Sequence, residues 1–200
     1  MITVPSDYAS AASYEDGGSK RIEVGGYICE IVGARVDTVG ANNVQKFVLA
    51  VDVKEGEFAG YYADKFKRDK EKSTNAKWKG TYDTFLLDKD GRTNPFFKGL
   101  MGCIEKSNNG FKPVVNGQIN EVALKGKLIG LIFGEEEFLD SEGKVRTVVK
   151  PRAARSVQTI RDGNYEVPEI RKLPGSQSAA PSYKPADTGF TRVDDEELPF

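Results

Sequence analysis

The segment KFVLAVDVK, Lys46 to Lys54, decides the fold class, because its apolar residues recur with the period of two that a β-strand imposes. Such a strand buries one face in a core and presents the other face to solvent or ligand. The predicted buried face holds Phe47, Leu49, Val51 and Val53, and the predicted outer face holds Lys46, Val48, Ala50, Asp52 and Lys54.

Strand signals continue on both sides of this segment. A long apolar run over 26–36, bounded by glycines and asparagines, predicts the preceding strand. The sequence at 55–57 predicts a turn, and 58–66 is then expected to be the third strand of a meander. Residues 67–92 have no clear pattern, although 81–87 fits either a short strand or a helical turn.

A helix is predicted to begin after Asn94. Asn94 can cap it, Pro95 suits the first helical position, and 108–110 (Asn-Asn-Gly) predicts its end. Its apolar side chains recur at helical spacing and therefore indicate core packing rather than a cofactor site. These side chains are Phe97, Leu100, Met101 and Ile104.

Two further strands, 127–139 and 145–157, flank a hairpin turn at 140–143. Three strands, a connection that holds a helix and a two-stranded hairpin follow one another in the order of the OB fold. We therefore predict an all-β fold, a five-stranded OB-fold barrel over 21–167, preceded by a flexible arm over 1–20. A general antiparallel sandwich is the alternative.

Composition favours a cytosolic protein with a modest core. Hydrophobic residues make up 38% of the chain, and no apolar run approaches the ~20 residues needed to span a bilayer. No apolar signal region is found near the start. Cys29 and Cys103 lie in apolar surroundings and are expected to be buried thiols rather than a disulfide.

Motifs for catalysis are lacking in the sequence. It has no histidine, no Cys-x-x-Cys pair and no G-x-x-x-x-G-K-[ST] loop. Its carboxylates are spaced as in any charged protein and do not indicate a two-metal nuclease. We expect no enzymatic activity, no cofactor and no metal.

Binding to single strands requires cations along the phosphates and flat rings on which the bases stack. Two segments of the sequence offer such features. Residues 65–79 hold seven bases and two acids, and 150–161 hold four bases and no acid. Trp78 has few apolar neighbours in sequence and is the strongest candidate for stacking on a base. The competing interpretation is a solvated charged surface with aromatics in the core. Predicted DNA contacts are Lys46, Tyr61, Lys65, Phe66, Lys67, Arg68, Lys77, Trp78, Lys79, Arg146, Lys150, Arg152 and Arg155.

The lysine-rich part of this set is expected to form a mobile loop at the edge of a groove. In strand register, Arg146, Lys150 and Arg152 are expected to share one face. The charge distribution agrees with a polyanion ligand: residues 1–186 carry 28 bases and 25 acids, whereas 187–200 carry one base and five acids.

Proline, glycine and serine become frequent from Pro168, which predicts a disordered linker over 168–193. The chain then ends in DDEELPF. The acidic run can approach a basic rim, the Phe200 ring can enter an apolar pocket, and the terminal carboxylate can pair with an arginine. The predicted partner-docking residues are Asp194, Asp195, Glu196, Glu197, Leu198, Pro199 and Phe200.

This tip resembles the acidic C-terminal tip of bacterial and phage single-stranded DNA-binding proteins, in which an aspartate run precedes an apolar residue and Pro-Phe. Glu196, Glu197 and Leu198 depart from the usual residues but keep the charge and the apolar character. The body resembles phage-encoded members with an OB-fold core. The resemblance implies a cytoplasmic protein of a bacterial cell or its phage. Such a protein binds and protects single-stranded DNA with little sequence specificity, and its tip recruits enzymes of DNA replication, recombination and repair.

Two alternatives stay open at this point. The protein could be a replisome or recombination adaptor that uses the tip without binding DNA, or its groove could prefer RNA, because stacking accepts either sugar. No membrane partner is expected. The oligomeric state is left open, a homo-oligomer included.

Overall fold

The alternating segment around Val51 is the second strand of a five-stranded antiparallel sheet. The computed structural model describes residues 20–40 and 42–173 of the chain. In chain order the elements are β1 (Gly25–Val39), β2 (Val44–Val53), α1 (Tyr61–Lys72), β3 (Thr81–Phe85), α2 (Pro95–Ser107), β4 (Val114–Val115), β5 (Gln118–Ile119), α3 (Glu121–Leu124), β6 (Leu128–Leu139), β7 (Val145–Arg155) and α4 (Val157–Arg161).

The large sheet has the strand order β3-β2-β1-β6-β7, and β4 and β5 form a separate small hairpin. β1 is central: its first residues pair with β6 and most of its length pairs with β2. β3 and β7 are the two edges and approach each other. Within the described residues no hydrogen-bonded ladder joins them, so the sheet is open there and the predicted closed barrel is not observed.

The core lies on one face of this sheet, as the alternation in β2 predicted. The predicted buried face of β2 is confirmed, with Phe47, Leu49, Val51 and Val53 all in the core. Leu100, Met101 and Ile104 of α2 pack against the same cluster. Val48 and Asp52, predicted to face outward, are also buried.

The prediction of a strand over 58–66 was wrong, because α1 begins at Tyr61. Gly60 supplies the left-handed turn at its start, with φ of 76°. The cap comes from a distant residue: the Asp52 carboxylate accepts hydrogen bonds from the backbone N–H groups of Tyr62, at 2.8 Å, and Ala63, at 3.1 Å. The third strand of the meander is instead β3, in the stretch for which a strand or a helical turn was expected.

Helix α2 is confirmed, with both of its expected ends. The Asn94 side chain accepts a hydrogen bond from the Phe96 N–H at 2.9 Å, and Pro95 occupies the first turn. At the other end the Asn108 amide exchanges two hydrogen bonds with the backbone of Leu128, at 2.8 and 2.9 Å. This exchange fixes the end of α2 to the start of β6.

The hairpin of β6 and β7 is also confirmed, although β7 ends at Arg155 and the Ser156 side chain then caps α4. The register shifts between Ile132 and Phe133, so that Arg152 has no paired residue on β6. This bulge changes the alternation of side chains along β7.

The first residues of the predicted linker, 168–173, lie along the outer part of β6. The Arg171 N–H donates to the Glu135 carbonyl at 3.0 Å, and the Glu137 N–H donates to the Arg171 carbonyl at 2.9 Å. We call residues 168–173 the C-terminal strap. The predicted arm covers 1–20, and its residues 1–19 lie outside the described residues. The rest of the predicted linker and the tip, 174–200, also lie outside them.

Tyr165 fixes the chain just before the strap. Its hydroxyl accepts a hydrogen bond from the Gly26 N–H at 2.9 Å. A Cβ atom at Gly26 would lie only 2.5 Å from the Tyr165 ring, so this close approach requires glycine.

Both cysteines are free thiols. Cys29 is buried, as predicted, whereas Cys103 is only half-buried. No helix in 20–40 or 42–173 has the length and apolarity to cross a membrane.

Candidate nucleic-acid interface

An open groove of about 430 Å³ lies where the two edges of the sheet approach each other. One wall comes from β2, β3 and the start of α2, and the other from β6, β7 and the strap. We call its four basic residues the groove cations: Lys46, Lys150, Arg152 and Arg171. Two carboxylates, from Asp83 and Glu136, also line it.

The first wall combines a cation with an aromatic ring. Lys46 lies directly opposite Phe85 in the register of β2 and β3, and its Nζ is 5.3 Å from the centroid of that ring. The same Nζ is 2.5 Å from Oδ2 of Asp83. A lysine over an exposed phenylalanine places a positive charge beside a flat apolar surface.

A second aromatic ring, that of Phe96, reaches the groove from the first turn of α2 and is 75% exposed. Neither Phe85 nor Phe96 was among the predicted DNA contacts. A signal was available for each. Phe96 lies off the apolar stripe of α2, and the alternation in β3 buries Tyr82 and Thr84, which turns Phe85 outward.

The second wall is organised around Glu136. Its Oε1 is 2.8 Å from Nζ of Lys150, and its Oε2 is 3.4 Å from Nη1 of Arg171. Lys150 was predicted as a DNA contact, and Arg171 was not. Arg171 falls in a stretch with the composition of a linker, so its sequence context did not predict that it lines the groove.

Arg152, at the bulge of β7, also lines this wall of the groove. Its side chain passes over Gly134, and Nη1 donates to the Glu135 carbonyl at 2.7 Å. Its Nε is buried and has no hydrogen-bond partner among the described residues. Burial lowers the pKa of Arg152, and the nearby charge of Arg171 acts in the same direction.

Tyr82 of β3 is buried near the place where β3 approaches β7. Burial raises the pKa of its phenol. The phenol therefore stays neutral and adds no charge to the groove that Tyr82 lines.

The lysine-rich segment does not line the groove. It forms α1 and the connection after it, rather than the expected mobile loop. Lys79 pairs with Asp69 at 3.0 Å, and this hydrogen bond lowers the pKa of Asp69. The predicted contacts on this separate surface are Tyr61, Lys65, Phe66, Lys67, Arg68, Lys77, Trp78 and Lys79.

Trp78, the strongest stacking candidate from sequence, is held to the body by its indole. Its Nε1 donates to the carbonyls of Val51, at 3.1 Å, and Gly80, at 3.0 Å. The ring packs against the core cluster and lies 5.6 Å from the Phe66 ring. This arrangement favours a packing role for Trp78.

The expected common face of Arg146, Lys150 and Arg152 is divided in the structure. Lys150 and Arg152 line the groove, whereas Arg146 pairs with Asp140 at 2.9 Å near the hairpin tip and lowers the pKa of that carboxyl. Arg155 is exposed and donates to the Ala154 carbonyl, outside the groove lining. The docking residues 194–200 lie outside the described part of the chain.

Comparison with known proteins adds no assignment. No protein-family model matches the chain, and no curated protein matches its sequence. Across 20–40 and 42–173, no three Asp, Glu or Cys side chains are grouped so as to hold a metal ion.

Proposed function

We propose that this protein binds single-stranded DNA in the groove between β3 and β7, with little sequence preference. The observation that carries the proposal is the placement of four groove cations beside two outward-facing phenylalanine rings. Cations neutralise the phosphates of a single strand, and flat rings stack on its bases. Since every base has a flat face, this combination does not select a sequence.

The sheet supports the proposal through its connectivity, which we take as that of a partly open OB fold. β1 pairs with both β2 and β6, and α2 lies between the third and fourth strands of the large sheet. In OB folds the second and third strands form the ligand face. Lys46 and Phe85 lie on these strands.

We further propose that the acidic tip recruits enzymes of replication, recombination or repair. The described chain ends at Leu173, whose N–H donates to Glu137 at 3.1 Å, next to the strap residue Arg171 in the groove wall. The last described residue therefore lies close to the proposed DNA site. Four adjacent carboxylates in the tip would also compete with DNA for the groove cations at low salt.

Binding of a fluorescent dT oligomer at several salt concentrations tests the proposal. We expect binding that weakens as salt rises, and Lys46→Gln should lower the slope of log K against log salt by about 0.7, the value for one single-strand phosphate. Lys144→Gln, at the hairpin tip, is the control with the same charge change. An oligomer that fails to bind even at low salt would refute the proposal and leave the adaptor alternative.

Two further measurements separate the remaining possibilities. Matched RNA and DNA oligomers of the same sequence show which sugar the groove prefers. A chain shortened to residue 193 should bind DNA more tightly than the full chain at low salt and should no longer bind partner enzymes.

A further inference from the structure

We infer that the Glu136 carboxylate, in the free protein, pairs with the two cations that bind a DNA phosphate, and that Lys150 and Arg171 exchange this carboxylate for a phosphodiester when a strand binds. This inference rests on the proposed function. It adds a defined phosphate site and a residue that limits the affinity of the groove.

The geometry around Glu136 suits such an exchange. Each of its two oxygens faces a different cation, Lys150 at 2.8 Å and Arg171 at 3.4 Å. A phosphodiester also offers two charged oxygens, so it can satisfy both cations at once.

The relative exposure of the three side chains shows which group can move. The Glu136 side chain is 18% exposed, whereas those of Lys150 and Arg171 are 43% and 63% exposed. The carboxylate is therefore set back behind the cations. Their charged ends can turn toward a ligand in the groove while Glu136 stays in place.

Arg152 supplies a third donor to the same site. Its Nη1 already donates to the Glu135 carbonyl, but its buried Nε has no partner among the described residues. A buried donor without an acceptor is unfavourable. After a small turn of the guanidinium, a phosphate oxygen in the groove would provide that acceptor.

The backbone holds Arg171 in position for this role. Its N–H and carbonyl are both hydrogen-bonded to β6, on either side of Glu136. The site is therefore assembled from the hairpin of β6 and β7 and from the strap, which backbone hydrogen bonds hold against β6. Lys150 and Arg171 are therefore already close to each other before a ligand binds.

Glu136 then has a predictable effect on DNA binding. A strand must draw two cations away from the carboxylate, and its phosphate afterwards lies near that negative charge. Removing that charge should therefore tighten binding. The gain in affinity should be modest, because ion pairs between partly exposed side chains are weak.

The test compares Glu136→Gln with Glu142→Gln, using the full chain and a dT oligomer. Glu142 pairs with Lys144 at the hairpin tip, outside the groove, so both variants change the net charge equally. We expect Glu136→Gln to bind roughly three- to tenfold more tightly at low salt. Glu142→Gln should change the affinity by less than about twofold. Equal affinities of the two variants would overturn the inference.

A second variant keeps the inference testable if Glu136→Gln folds poorly. Arg171→Gln should weaken binding and lower the salt slope by about 0.7. Wild-type affinity and slope in Arg171→Gln would overturn the phosphate site, while oligomer binding by the unmodified protein would still support the proposed function. Failure of the unmodified protein to bind would instead refute the proposed function, and the inference with it.

Discussion

The carboxylate of Asp52 lies 2.8 Å from the backbone nitrogen of Tyr62 and thereby joins the end of β2 to the start of α1. The same side chain accepts hydrogen bonds from the N–H groups of Val53 and Ala63. A residue on a strand thus caps a helix that begins nine positions later, at Tyr61.

Asp52→Ala should therefore lower the free energy of unfolding by about 2–4 kcal/mol, because buried N–H groups would lose a charged acceptor. Urea denaturation followed by circular dichroism measures this loss. Asp64→Ala is the control, since Asp64 lies exposed in the first turn of the same helix. Equal stability of the two variants would show that the cap is unimportant.

Trp78→Phe separates packing from stacking. The change removes the indole N–H that serves two carbonyls but keeps an aromatic ring, so stability should fall by about 1 kcal/mol. The affinity of the folded variant for a dT oligomer should stay at the wild-type value. Weaker binding without loss of stability would instead assign the indole to a base.

Phe96→Ala should give the opposite result. The ring is exposed beside the groove cations, so its loss should weaken oligomer binding by about 1–3 kcal/mol. The melting temperature should not change. Val122→Ala is the control, because Val122 is an exposed apolar residue on α3, outside the groove. A wild-type affinity for Phe96→Ala would remove base stacking from that wall.

Stability should decline on the alkaline side, and Cys29 contributes to this decline. Burial raises the pKa of the Cys29 thiol above its ordinary value of 9.0, and burial likewise raises the pKa of Tyr62. Below about pH 9 both folded and unfolded chains keep the thiol proton, so its contribution to stability is fully present. Above that pH only the unfolded chain releases it, and unfolding becomes easier by up to about 1.4 kcal/mol per pH unit.

Cys29→Ala tests this contribution through the slope of stability against pH. The variant loses packing at every pH, but its free energy of unfolding should fall less steeply than that of the wild type between pH 9 and 11. Parallel curves for the two proteins would show that the thiol does not titrate differently in the folded state.

The sequence predicted those elements whose signals are local. Alternation identified β2, a capped and regularly spaced stripe identified α2, and a polar turn identified the hairpin of β6 and β7. Helix α1 was missed because its cap, Asp52, comes from another element, and because the aromatic residues of 58–66 are typical of a strand.

The groove was predicted only in part, for a related reason. Lys46, Lys150 and Arg152, three of the predicted DNA contacts, line the groove together, but the groove forms only where two sheet edges approach each other. Phe85 and Arg171 line the groove only because the two sheet edges approach each other. Sequence clustering instead favoured the lysines around Trp78, which are close along the chain but lie on another surface.

The strap also determines where the chain can be shortened. Proline content suggests cutting before Pro168, yet that cut would delete Arg171 and expose the backbone of β6 at Glu135 and Glu137. An independently produced body should therefore retain residues through 173, because a shorter version would lack one of the four groove cations.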